Sequence, residues 1–84
     1  MPDFAKTLHI QYYAVLREQR GLSQEQYVTE SANPGELYQE LSKRFSLSVH
    51  PQLLRLAIND QFAAWDSPLQ DGDKIIFMPP VAGG

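Results

Sequence analysis

The chain has no cysteine, and that absence removes a disulfide scaffold, a thiol nucleophile and a thiolate metal site together. Any sulfur chemistry here has to use another group. Basic residues are also scarce: seven Lys and Arg stand against ten Asp and Glu, a formal charge of −3. That is the wrong sign for a protein that must neutralise phosphates, so no nucleic-acid partner is expected. Long apolar runs are missing too. Nothing approaches the roughly 20 residues of a membrane-spanning helix. The start, Met1-Pro2-Asp3-Phe4-Ala5-Lys6, carries an acid and no run suited to a signal peptide. The cytoplasm is the expected location, with no membrane partner. The 84 residues fit a single domain, 1–84, and a chain that short leaves little interior for a catalytic cleft of its own. Its 43% hydrophobic and 11% aromatic content is nevertheless too high for disorder.

What is present is a run of short amphipathic segments. Thr7 to Ala14 alternates apolar and polar, the period of a half-buried strand with Leu8, Ile10 and Tyr12 inward. Val15 to Arg20 allows at most a turn of helix before Gly21, and Gln26 to Glu30 reads as a second strand, making a hairpin with a long connection. Asn33-Pro34-Gly35-Glu36 has the chemistry of a helix start, with Asn33 as N-cap, Pro34 at N1 and Glu36 at N3. The helix from Pro34 to Phe45 places Leu37, Leu41 and Phe45 on one stripe. Leu54 to Asn59 alternates as a third strand, Asn59-Asp60 begins a turn, and Phe62 to Trp65 suits a short further strand. Asp71-Gly72-Asp73 is a turn before the last strand, Lys74 to Met78. This order predicts an α+β fold of β-grasp type, a mixed sheet packed on one main helix.

Conventional sites are missing from this pattern. His9 lies on the outward side of a strand and His50 precedes a proline in a loop, so both read as solvated. Asp66, Asp71 and Asp73 lack the spacing of a cation loop, and no metal is expected. There is no G-x-S-x-G, and the internal glycines are too scattered to cradle a phosphate. An independent enzyme is the weakest reading. Strand alternation does leave one remainder, because Ile75 and Phe77 point opposite to Ile76 and Met78. With Ile75 and Phe77 inward, Met78 faces out, beside Tyr13 if the first and last strands are neighbours.

Beyond Met78 come Pro79-Pro80, which cannot continue a ladder, and then Val81-Ala82-Gly83-Gly84. Extended, residues 79–84 reach about 20 Å, enough to enter a partner's cleft. The segments Ala57-Ile58-Asn59-Asp60, Asp66-Ser67-Pro68-Leu69-Gln70-Asp71-Gly72-Asp73 and Ile75 through Gly84 together resemble the C-terminal half of the molybdopterin synthase small subunits. Tyr12-Tyr13-Ala14-Val15-Leu16-Arg17-Glu18 is similar to the same family's two-aromatic segment ending in Arg-Glu.

The resemblance implies a ubiquitin-like sulfur carrier of molybdenum cofactor biosynthesis. Gly84 would be adenylated by a ubiquitin-activating-like enzyme that uses ATP, converted to a thiocarboxylate, and inserted into the synthase large subunit, within a heterotetramer whose product is molybdopterin. The chain itself would bind no cofactor and have no active site apart from that carboxylate. Pro80, Val81, Ala82, Gly83 and Gly84 are then the entering tail, and Tyr13, Arg17, Phe62 and Met78 the partner-binding surface, with Phe62 open to a core role and Arg17 to pairing with a neighbouring acid. Two alternatives remain open: the thiamine-pathway sulfur carrier, and a ubiquitin-like modifier conjugated through Gly84.

Overall fold

A computed structural model describes residues 5–80. Its elements are β1 (Lys6–Tyr12), α1 (Ala14–Arg20), β2 (Gln24–Thr29), α2 (Pro34–Phe45), a 3-10 turn (Pro51–Leu53), β3 (Arg55–Ile58), β4 (Gln61–Phe62) and β5 (Lys74–Met78). They form one sheet in the order β2-β1-β5-β3-β4, with β1 and β5 parallel at its centre and the other pairs antiparallel. This is the mixed α+β sheet of a β-grasp fold, with a second, shorter helix beside the main one.

Alternation sets the inner face. Leu8, Ile10 and Tyr12 of β1 are buried, and so are Ile75 and Phe77 of β5, which lie opposite Ile10 and Tyr12 in register. Leu56 joins them opposite Phe77. Leu37 and Leu41 of α2 and Leu16 of α1 close over this row in one cluster. Phe45 completes the stripe only partly, lying half-buried at its edge. Tyr38 is buried as well, tilted against Phe77 at 5.2 Å between ring centres and donating its hydroxyl to the Val49 carbonyl at 2.7 Å.

The start of α2 forms as its residues require. Asn33 Oδ1 accepts from the Glu36 amide at 2.9 Å, and Glu36 Oε1 accepts from the Ala32 amide at 3.0 Å, which satisfies amides on both sides of the cap. Gly21 ends α1 at φ 85°, in the left-handed region that glycine enters without steric cost.

Several elements differ from expectation: α1 is a seven-residue helix where at most a turn was expected, and β3 is one residue shorter at each end than Leu54 to Asn59. β1 stops at Tyr12 because Ala14 takes a positive φ of 52° and the chain turns into α1. β2 runs from Gln24 to Thr29, two residues earlier at its start, because it pairs with β1 as far as Gln11. The short strand is Gln61–Phe62 instead of Phe62 to Trp65. Asn59 and Asp60 both have positive φ, the requirement of a two-residue type I′ turn, and such a turn pairs Ile58 directly with Gln61. Trp65 then falls past the strand and stacks on Phe77 at 6.0 Å.

A polar lock ties α1 to β2. Arg20 makes a two-pronged contact with Glu25, Nη2 to Oε1 at 2.7 Å and Nε to Oε2 at 2.9 Å, and the Tyr12 hydroxyl donates to Glu25 Oε2 at 2.6 Å. Burial alone would raise the Glu25 pKa, but the hydrogen bonds from Arg20 and Tyr12 outweigh it and hold the carboxyl below its ordinary value. Burial, reinforced by Glu25, pushes the Tyr12 phenol well above its ordinary value, so it stays a donor. A carboxyl depressed in the folded state contributes stability above its unfolded pKa of about 4.3, and that contribution is lost as pH falls through the folded value. Glu25→Gln is therefore expected to cost about 1–3 kcal/mol at neutral pH. It should also flatten the acid limb of a plot of melting temperature against pH, and an unchanged limb would assign the acid sensitivity to other carboxylates.

Candidate functional site

The site is the helix-free face of the sheet together with the point where the chain leaves it. β5 ends at Met78 because the two prolines that follow have no N–H for a ladder. Pro79 is buried and Pro80 exposed. The tail therefore departs from the middle strand of the sheet, rooted between neighbours on both sides. The remaining tail positions, Val81, Ala82, Gly83 and Gly84, lie outside the described residues.

Register gathers the expected surface residues on that face. Tyr12 lies opposite Phe77, and Tyr13 continues in extended conformation, which brings it level with Met78. Arg55 lies opposite Met78 on the other side of β5. Phe62 pairs with Ala57, which pairs with Ile76, so Phe62 shares the outward face and has no part in the core. It is 72% exposed, and Tyr13 is 46% exposed. Met78 is half-buried, its flanks covered by the strands on either side. Arg17 is exposed on α1, and among the described residues its guanidinium makes no hydrogen bond or ion pair.

Two residues of this site went unnoticed in the sequence. Leu53 is 60% exposed, and with Arg55, Met78, Pro79 and Pro80 it lines a cleft of about 270 Å³ at the tail root. Arg55 stands over Phe62, its guanidinium carbon 5.8 Å from the ring centre. Its outward direction was readable from the alternation of Leu54-Arg55-Leu56, but Leu53 sits in a 3-10 turn and leaves no periodic signal.

Asp71, Asp73 and His50 serve the scaffold. Asp71 Oδ1 accepts from the Thr7 amide at 2.7 Å, and Asp73 accepts from Asn59 Nδ2 and from the Gln70 amide, around Gly72 at φ 88°. His50 Nδ1 accepts from the Gln52 amide at 3.1 Å and starts the 3-10 turn, while His9 is exposed on the outward face. Among the described residues no three His, Asp or Glu side chains stand where they could hold a metal ion. What the arrangement offers is a semi-exposed apolar surface with guanidinium groups that have no ion-pair partner among the described residues, at the root of the tail.

Comparison with known proteins gives the family and its relatives. The sequence profile of the ThiS family matches residues 10–84. The molybdopterin synthase sulfur carrier subunit of Escherichia coli K12 is 30% identical over 80 residues, which is 92% of this chain and 99% of the relative. A chain from a complex of subunits 1 and 2 of the molybdopterin-converting factor from Helicobacter pylori superposes with a TM-score of 0.63 at 25% identity, over 93% of this chain and 99% of that one. The small archaeal modifier protein 1 of Haloferax volcanii has the same fold, with a TM-score of 0.73 at 18% identity, over 90% and 99% of the two chains.

Proposed function

The chain belongs to the ThiS family, and from that membership we propose that it is a sulfur carrier of molybdenum cofactor biosynthesis, with Gly84 as the carrying residue. The observation that carries this reading is a family match running through the whole tail, on a fold whose central strand ends at Met78 and is followed by Pro79-Pro80. The likeness to a molybdopterin synthase sulfur carrier subunit, and to a chain solved in a complex of molybdopterin-converting factor subunits 1 and 2, supports this pathway and a large-subunit partner.

The chemistry follows from the carboxylate. An α-carboxyl group has a pKa of about 3.5, so at neutral pH it is an anion and a poor electrophile. Its attack on the α-phosphorus of ATP, in an activating enzyme, releases pyrophosphate and leaves an acyl-adenylate. The terminal sulfur of a persulfide attacks that carbonyl and expels AMP. A thiol then cleaves the resulting acyl disulfide, which leaves the sulfur on Gly84 as a thiocarboxylate. In this way a chain without cysteine carries sulfur. Glycine at the end lets a partner's pocket close on bare backbone. The large subunit then receives the tail, and the thiocarboxylate attacks the pterin precursor there.

Docking falls to Tyr13, Met78 and Phe62 on the outward face, and to Arg17 exposed on α1. Met78→Asp is expected to preserve the fold and weaken binding to the large subunit by about 2–4 kcal/mol, the cost of an interface anchor. Titration calorimetry checks this, and an unchanged affinity removes Met78 from the docking surface. The second reading is a protein modifier, favoured by the fold likeness to the archaeal modifier. A ladder of covalent adducts joined through Gly84, found in cells that contain the activating enzyme, would select it.

A further inference from the structure

Charge on the outward sheet face does not follow the charge of the chain. Acids outnumber bases ten to seven overall, yet the outward strand positions carry His9, Lys74 and Arg55 and no Asp or Glu. The single acid within any strand, Glu25, points the other way, to Tyr12 and Arg20. The two long cations differ in their surroundings. Lys74 Nζ is held 3.2 Å from Asp60. Arg55 makes no hydrogen bond or ion pair among the described residues; it leans over the exposed Phe62 ring, faces Met78 across the ladder and borders the cleft at the tail root.

We propose that Arg55 is the receptor for a carboxylate on the partner protein, so that the surface this face fits is an apolar patch bearing an Asp or Glu next to it. This rests on the reading of the face as the docking surface for the large subunit. A guanidinium 5.8 Å from the centre of the Phe62 ring stands at the edge of the apolar patch, and its planar fork pairs a carboxylate through two parallel hydrogen bonds. Closing an apolar patch around it without a counter-charge would bury an uncompensated cation, so a partner lacking the acid is rejected. The cleft beside Arg55 leaves room for the stem of an acidic side chain. A second copy of the chain presents the same cationic face and is repelled.

The test uses the full chain and the large subunit from the same source, with affinity measured in low salt and again near 1 M, where screening confines charge effects to about 3 Å. In low salt, Arg55→Glu is expected to weaken binding at least about 30-fold and Arg55→Gln about tenfold. The salt dependence of the Gln variant should be flatter than that of the wild type. Melting temperatures should stay unchanged, because the side chain is exposed. If both variants bind within about twofold of wild type while Met78→Asp binds weakly, the face still docks and the role of Arg55 is refuted. If Met78→Asp also binds normally, the docking face itself is wrong and Arg55 falls with it.

Discussion

Deletion of Gly84 is expected to abolish sulfur delivery while leaving the melting temperature where it was. The shortened chain still ends in a glycine carboxylate of the same acidity, so any loss reports position and not chemistry. Retraction by one residue withdraws the reacting carbon by about 3.5 Å, whereas reaction needs the atoms within roughly 3–3.5 Å and aligned. Turnover should therefore drop by orders of magnitude. Gly83→Ala is expected to act in the same direction by adding a methyl group inside a passage that fits bare backbone. The measurement is pterin dithiolene formation in a mixture of the variant with activating enzyme, ATP, a persulfide donor and large subunit. Delivery at the wild-type rate by a chain lacking Gly83 and Gly84 would leave the tail without a role.

The largest effect on stability is expected from Phe77→Ala. Phe77 is fully buried in the parallel centre of the sheet, with Trp65 stacked at 6.0 Å and Tyr38 tilted at 5.2 Å. Removing it deletes a ring that three elements pack on and leaves a void that the paired strands cannot close, at a cost of about 3–5 kcal/mol. For a domain of this size each kcal/mol shifts the melting temperature by about 4–8 °C, so a fall of at least about 12 °C is expected. Phe62→Ala is the internal control. It removes the same ring from a residue that is 72% exposed, and stability should move by no more than about 0.5 kcal/mol. Similar losses for the two would mean that the outward face is packed and not available to a partner.

The contrast between these two phenylalanines shows what could be read from the sequence. Phe77 sits in a five-residue strand between two turn signals, and alternation puts it on the same side as Ile75, while the choice of that side as the inner one is made by the packing of Tyr38 and Trp65. Helix α2 was equally plain, because Asn33, Pro34 and Glu36 state its start chemically and Leu37 and Leu41 state its face. Phe62 was ambiguous because its strand is only two residues long, too short for a period. Its direction depends on the type I′ turn at Asn59-Asp60, which fixes register through backbone dihedrals instead of hydrophobicity. Arg55 was visible as an outward residue, but its place above Phe62 requires the β3–β4 pairing, a tertiary fact. The Glu25 lock was hidden for the same reason, since its partners Tyr12 and Arg20 come from two other elements. The tail was legible as composition, two prolines and then small residues, because a thread that enters a partner needs little beyond reach and slimness.

The central claim is that sulfur travels on Gly84, and intact mass spectrometry of the chain tests it directly. After incubation with activating enzyme, ATP and a persulfide donor, the protein should gain the mass difference of one oxygen replaced by one sulfur, and fragmentation should place the change on Gly84. Adding large subunit and pterin precursor should return the mass to that of the carboxylate as sulfur is handed on. A mass that stays unchanged with all components present, or a sulfur found on any residue other than Gly84, would contradict the account.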